Sequence, residues 1–145
     1  MPLTRARGDV SYRNVSFRYE AGKERALRDV SLDVAAGTTV ALVGQSGSGK
    51  TTLVSLLPRF YDPDGGAVLL DGHDIREYSL RDLRRQVALV GQDVVLFDDT
   101  IANNIAYGAL AKFSRADVGR AAEAAYVTEF AAAVPEGLDT RVGGR

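Results

Sequence analysis

Gly44-Gln45-Ser46-Gly47-Ser48-Gly49-Lys50-Thr51-Thr52 lies between the run Thr38-Thr39-Val40-Ala41-Leu42-Val43 and the segment Leu53-Val54-Ser55-Leu56-Leu57. The nine residues fit G-x-x-x-x-G-K-[ST], the spacing by which a chain wraps a polyphosphate in its own amides. Gly44, Gly47 and Gly49 permit backbone angles that side chains resist, so successive N–H groups converge on an anion. Lys50 then reaches the terminal phosphates as a point charge, and the Thr51 hydroxyl is a ligand for Mg²⁺. The preceding run is β-branched and apolar and predicts a buried strand, whereas the following one has apolar residues at helical spacing. The loop thus feeds a helix N-terminus with its partial positive charge. The chemistry indicated is nucleoside triphosphate binding.

Around this loop, composition narrows the field. The chain has 145 residues, 46% of them apolar, a net charge of −1 and no cysteine. That is enough to bury a core, and it leaves no disulfide framework, thiolate metal site or electrostatic footprint for nucleic acid. No apolar stretch approaches the ~20 residues that span a bilayer. A soluble chain without a nucleic-acid partner is expected.

Residues 1–8 read as a linker. Alternation predicts strands from Val10 to Tyr19 and from Leu27 to Val34, with a turn at 21–24 between them. Pro58 ends the helix after the phosphate loop. Ala67–Leu70 predicts another strand, closed by the turn dipeptide Asp71-Gly72, and Val87–Val90 a further buried one. Ser79-Leu80-Arg81-Asp82 and Ser114-Arg115-Ala116-Asp117 are capping boxes that open helices, Thr100 is a helix cap, and Thr128 is read as one more.

Three other positions bear on chemistry. Asp71 follows four apolar residues, as a metal-holding carboxylate does, but Gly72 after it marks a turn, and the structural role is preferred. Gln92, just after Val87–Val90, is by residue type a Mg²⁺ ligand or a group that positions the attacking water, or else a solvated loop glutamine. Tyr19 is either a base-stacking aromatic or a half-buried strand tyrosine. His73, the single histidine, reads as a surface residue.

These pieces, in this order, resemble the nucleotide-binding domain of ATP-binding-cassette (ABC) exporters, with a look similar to bacterial lipid A and multidrug exporters. The resemblance rests on Val15-Ser16-Phe17-Arg18-Tyr19, Ala26–Leu32, the phosphate loop, Arg59-Phe60-Tyr61-Asp62-Pro63, Asp71-Gly72-His73-Asp74-Ile75, Leu83–Gln92 and Leu96–Ile105, and covers residues 9–145. It implies an α/β fold: a P-loop NTPase (RecA-like) core with an antiparallel β subdomain and the start of a helical subdomain, truncated. Residues 9–92 would be the first half of the ATP-binding core, and residues 93–145 the Q-loop and the start of the helical part, ending before the signature motif. Because the family's sheet draws strands from its second half, exposed apolar edges are expected.

The resemblance also implies roles. Tyr19 would stack on adenine, residues Gly44, Gln45, Ser46, Gly47, Ser48, Gly49, Lys50, Thr51 and Thr52 would hold the phosphates, and Thr51 and Gln92 would hold Mg²⁺. No catalytic residue is expected in this stretch, since the Walker B glutamate and switch histidine are absent from it. The implied partners are ATP, a second nucleotide-binding domain as a homodimer, and transmembrane-domain coupling helices received near Asp93–Thr100. The implied place is the cytoplasmic face of the inner membrane. A stand-alone nucleotide-binding or regulatory module is the alternative.

Overall fold

Strand β1, Val10–Phe17, carries a break in parity that shapes the first half of the chain. Tyr12, Val15 and Phe17 all face inward, with at most 5% of each exposed, although Tyr12 and Val15 lie three apart. The extra residue is accommodated at Asn14, whose φ is 49°, and the pairing with both neighbours shifts there. A bulge of this kind lets one strand present residues of both parities to the same core. Gly66 faces the bulge from the next strand: a Cβ on it would lie 2.2 Å from the Arg13 carbonyl oxygen, so no larger residue fits.

In the computed structural model, residues 1–93 and 95–143 are described. They form two compact units, Met1–Val90 and Gly91–Arg145. In the first, β1 lies between β2 (Leu27–Val34) and β3 (Gly65–Leu70), and the two-residue β4 (His73–Asp74) completes an antiparallel sheet of order β2-β1-β3-β4. Helix α1 (Lys50–Leu56) and the short α2 (Leu80–Arg84) pack Leu53, Leu56 and Leu83 against Val15, Phe17, Val68 and Leu70. Burying each such aliphatic side chain contributes about 1.5–3 kcal/mol.

Polar groups fix the seating of α1. The buried Tyr12 hydroxyl donates to the Leu53 carbonyl at 2.9 Å, and burial pushes its pKa up to about 12. At the other end, Pro58 stops the helix as the sequence predicts, and the Arg84 guanidinium donates to the carbonyls of Pro58 and Arg59 at 3.0 and 2.9 Å. A cation over terminal carbonyls is favourable for both hydrogen bonding and the helix dipole.

Residues 1–8 carry no regular element, yet they are tied down. The Asp71 carboxylate accepts from the backbone N–H groups of Arg7, Gly8 and Asp9 at 2.7–2.9 Å, and the Gln86 side chain accepts from Ala6 at 3.0 Å. Leu3 and Ala6 pack on the core. Asp71 is therefore a structural carboxylate, held by backbone N–H groups, in agreement with its turn reading.

Two expected buried strands are not formed. Residues 38–43 and 87–90 belong to no strand, and Val43 and Val90 are 89% and 96% exposed. An apolar run becomes a strand only when a neighbouring strand completes its ladder, and none pairs with these runs among the described residues.

In the second unit, β5 (Asp99–Thr100) pairs with β6 (Arg141–Val142), followed by α3 (Ile101–Ile105). Helix α4 (Arg115–Ala124) opens with the full reciprocal capping box at Ser114 and Asp117, whereas at α2 only the Ser79 arm to the Asp82 N–H is made. Thr100 caps α3 through the Asn103 N–H. Thr128 does not cap α5 (Val127–Ala131); that position belongs to Tyr126, held left-handed at φ 59°, and Thr128 sits within the first turn. No helix among the described residues is long and apolar enough to cross a membrane.

Asp71 provides a test of the tied N-terminal segment. Burial raises its pKa, but the N–H donors of Arg7, Asp9 and Gly8 outweigh this and hold it below the ordinary 3.8. Its stabilising effect is then complete above that value and fades as pH falls through the lowered folded one. Asp71→Ala should cost about 1 kcal/mol at pH 7 after allowing for solvent screening, with the difference from wild type closing in acid. Urea unfolding at pH 7 and pH 3 checks this.

Candidate functional site

The phosphate loop runs from the exposed segment at residues 38–43 into α1. Gly44, Gly47 and Gly49 have φ of 156°, 80° and 88°, the last two firmly in the left-handed region. Gly49 is the N-cap of α1 and the tightest point. A Cβ there would lie 2.6 Å from the Ala26 carbonyl oxygen and 2.8 Å from Leu27 Cδ2, so the loop closes directly on the start of β2. At Gly44 a Cβ would meet Ser48 Oγ at 2.8 Å. The curl is closed by a hydrogen bond from the Ser48 N–H to the Gln45 carbonyl at 3.2 Å.

Lys50 folds into this curl. Its ammonium donates to the carbonyls of Gly44 and Gln45, both at 2.8 Å, and to Ser48 Oγ at 3.3 Å. All three acceptors are neutral oxygens. Exchange of these donors to an anionic oxygen would break no ion pair.

Beside the loop, a cavity of about 300 Å³ is lined by Tyr19, Ala26, Ser46, Gly47, Gly49, Lys50, Thr51 and Thr52. It holds one cation, several hydroxyls and backbone, and no carboxylate. Thr51 is exposed at the first turn of α1. Thr52 is buried, and its hydroxyl shares a 2.8 Å hydrogen bond with the Tyr19 hydroxyl. Tyr19 lies past the end of β1, two residues beyond Phe17, so it is a loop aromatic and not the strand terminus that alternation suggested.

The structure thus gathers Tyr19, Ser46, Gly47 and residues 49–52 around one cavity, with Gly44, Gln45 and Ser48 closing the curl around the Lys50 ammonium. Gln92 is exposed and lies in the second unit, Gly91–Arg145. His73 is exposed on β4, with Nδ1 3.8 Å from the Glu77 carboxylate. Among the described residues, no cluster of histidine, aspartate and glutamate is arranged to hold a metal. Two neighbours of the cavity escaped the sequence reading. Ala26 lines it, a place that no residue pattern signals, and Tyr61 packs on Tyr19 from the loop after α1.

Comparison with known proteins agrees with this architecture. Residues 27–142 match the ABC transporter family, and the chain belongs to that family. Its fold is accordingly the α/β P-loop NTPase fold, with an antiparallel sheet beside the loop and its helix. The chain is 57% identical over 141 residues to the ATP-dependent lipid A-core flippase of Idiomarina loihiensis, and 54% identical over 141 residues to that of Escherichia coli K12. Each match covers 97% of this chain and 24% of the relative. A solved bacterial Atm1-family ABC exporter with ATP bound superposes with a TM-score of 0.91 at 46% identity, over 99% of this chain and 25% of that one. The chain therefore spans about a quarter of the length of these relatives.

Gly49→Ala tests the close approach to β2. The added Cβ must push back Ala26 backbone in a conformation that alanine disfavours, so ATP affinity should fall by at least about tenfold, the equivalent of roughly 1.4 kcal/mol of strain. Titration of the variant with Mg-ATP, beside a thermal melt, checks this.

Proposed function

We propose that the chain is the ATP-binding portion of an ATP-driven membrane exporter of the lipid or drug efflux kind. The observation that carries the nucleotide reading is the Lys50 ammonium folded into the glycine curl on neutral oxygens alone, without a salt-bridge partner among the described residues, in a residue that also lines a cavity without carboxylates. Such a site suits a polyphosphate and repels nothing anionic. The exporter reading is supported by the printed functions of the relatives, which are flippases and an exporter.

In this reading Gly44, Gln45, Ser46, Gly47, Ser48 and Gly49 supply N–H donors and curvature, and Thr52 lies at the base of the cavity. Lys50 moves its donors from the loop carbonyls to the β- and γ-phosphate oxygens. Tyr19 offers a face to the base. The Thr51 hydroxyl is the Mg²⁺ ligand on this loop, and the fit rests on its exposed place beside Lys50 at the start of α1. Gln92 is assigned the same ion on sequence resemblance. When bound, Mg²⁺ neutralises charge on the phosphates.

Efficient hydrolysis needs a group that activates or orients water, in this family's pattern the Walker B glutamate, and the cavity lining contains no carboxylate. The 145 residues alone are therefore proposed to bind Mg-ATP without turning it over. In the whole protein, a second nucleotide-binding domain would complete the site, and a transmembrane domain would engage the surface near Asp93–Thr100 at the cytoplasmic face of the inner membrane. A stand-alone nucleotide-binding module is the second reading, favoured if the chain proves a stable monomer with full affinity.

Equilibrium titration with a fluorescent ATP analogue should show Mg-dependent binding that Lys50→Ala weakens by about tenfold or more, as loss of a charge-assisted contact predicts. Phosphate release should stay at background for both proteins. Turnover by the 145-residue chain that Lys50→Ala abolishes would overturn the non-hydrolytic assignment, and unchanged affinity in Lys50→Ala would overturn the site itself.

A further inference from the structure

Tyr19 is held from three sides. Its ring meets Phe17 edge-on at 5.0 Å and 82°, and Tyr61 edge-on at 5.2 Å and 87°. Phe17 and Tyr61 close the triangle at 5.4 Å. Phe17 is 4% exposed and ends β1, so one support is rigid core. Tyr61 arrives from the loop after α1, just beyond the turn that Arg84 clamps. The third hold is the hydrogen bond between the Tyr19 hydroxyl and Thr52 Oγ1.

A tyrosine on a loop has two side-chain torsions to lose when it stacks on a ligand. Here the edge contacts fix the ring plane, and the hydroxyl bond fixes its reach. Tyr19 nevertheless remains 52% exposed and lines the cavity above the phosphate loop. Its accessible surface is therefore ordered before any ligand arrives, which removes part of the cost of binding.

We propose that Tyr61, and the Thr52 hydroxyl at the end of the loop, are positioning groups that act through Tyr19, setting the affinity for the base half of a nucleoside triphosphate while the loop amides and Lys50 set the affinity for its phosphates. This rests on the ATP reading above. The contact is made by the ring of Tyr61, so Tyr61→Phe preserves it and Tyr61→Ala removes it. Tyr19→Phe removes the bond to Thr52 and leaves every residue of the phosphate loop in place.

The test is calorimetric titration of the chain with Mg-ATP and, separately, with Mg-tripolyphosphate, which carries the same phosphate chain without the base. Tyr61→Ala should weaken ATP binding about three- to tenfold, the worth of one aromatic pair, with tripolyphosphate affinity unchanged. Tyr19→Phe should weaken ATP binding about twofold or more through the lost hydrogen bond, again with tripolyphosphate unchanged. Tyr61→Phe should match wild type.

Equal ATP affinity in Tyr61→Ala and wild type would overturn the proposal. A parallel loss of tripolyphosphate affinity would do the same, since it would mean that Tyr61 supports the fold or the loop at large. So would a Tyr61→Phe that behaves like Tyr61→Ala. A wild-type chain that binds tripolyphosphate and gains nothing from the adenosine half sinks this inference while the phosphate site stands. Binding of neither ligand sinks both.

Discussion

The seating of α1 on the antiparallel sheet is the constraint from which the rest follows. Three contacts of different physical kind set it: Leu53 and Leu56 in the core, the Tyr12 hydroxyl on the Leu53 carbonyl, and the van der Waals closure of Gly49 on Ala26 and Leu27. The helix N-terminus is thereby pointed at the cavity, and the phosphate loop is stretched over it. Lys50 and Thr52 both belong to α1, so its position sets where the ammonium meets the loop carbonyls and where the Thr52 hydroxyl meets Tyr19. The bulge at Asn14 serves the same end, because it lets Tyr12 and Phe17 both face inward, one toward α1 and the other toward Tyr19.

The loop is supported unequally on its two sides. Downstream it is anchored by a buried helix. Upstream it is reached through Val40, Leu42 and Val43, which are 47%, 37% and 89% exposed. Leu89 and Val90 are exposed in the same way. Continuous apolar runs of this type suit a strand covered on both faces, and an uncovered one is an aggregation hazard. The parts of the nucleotide-binding architecture that stand firmly are thus those that the antiparallel sheet and α1 complete between themselves.

Much of this was legible in residue types and spacing. The phosphate loop, the strands β1 to β3, the stop at Pro58, the turn role of Asp71 and the cap at Ser114 all depend on near neighbours, so a local pattern suffices to read them. Thr128 misled because a threonine before a helical run also occurs inside a first turn, and the left-handed Tyr126 took the cap. Runs 38–43 and 87–90 misled for a different reason: apolarity shows that a segment can be buried, whereas burial requires a partner at hand. Tyr61 and Ala26 stand in stretches that carry the resemblance, yet nothing local marked either as a neighbour of the cavity, since that depends on what approaches them.

By itself, the sequence determined the backbone freedom and the charge of the loop. Glycines at 44, 47 and 49 with a lysine at 50 permit few other uses, because backbone freedom and charge are properties of the residues and need no neighbours. Tertiary structure decided how that chemistry is held. The distance of Gly49 from β2, the lock between Tyr19 and Thr52 and the brace at Tyr61 join residues far apart in the chain. Such contacts exist only once the sheet and α1 have packed, since close packing alone brings distant groups to bonding distance.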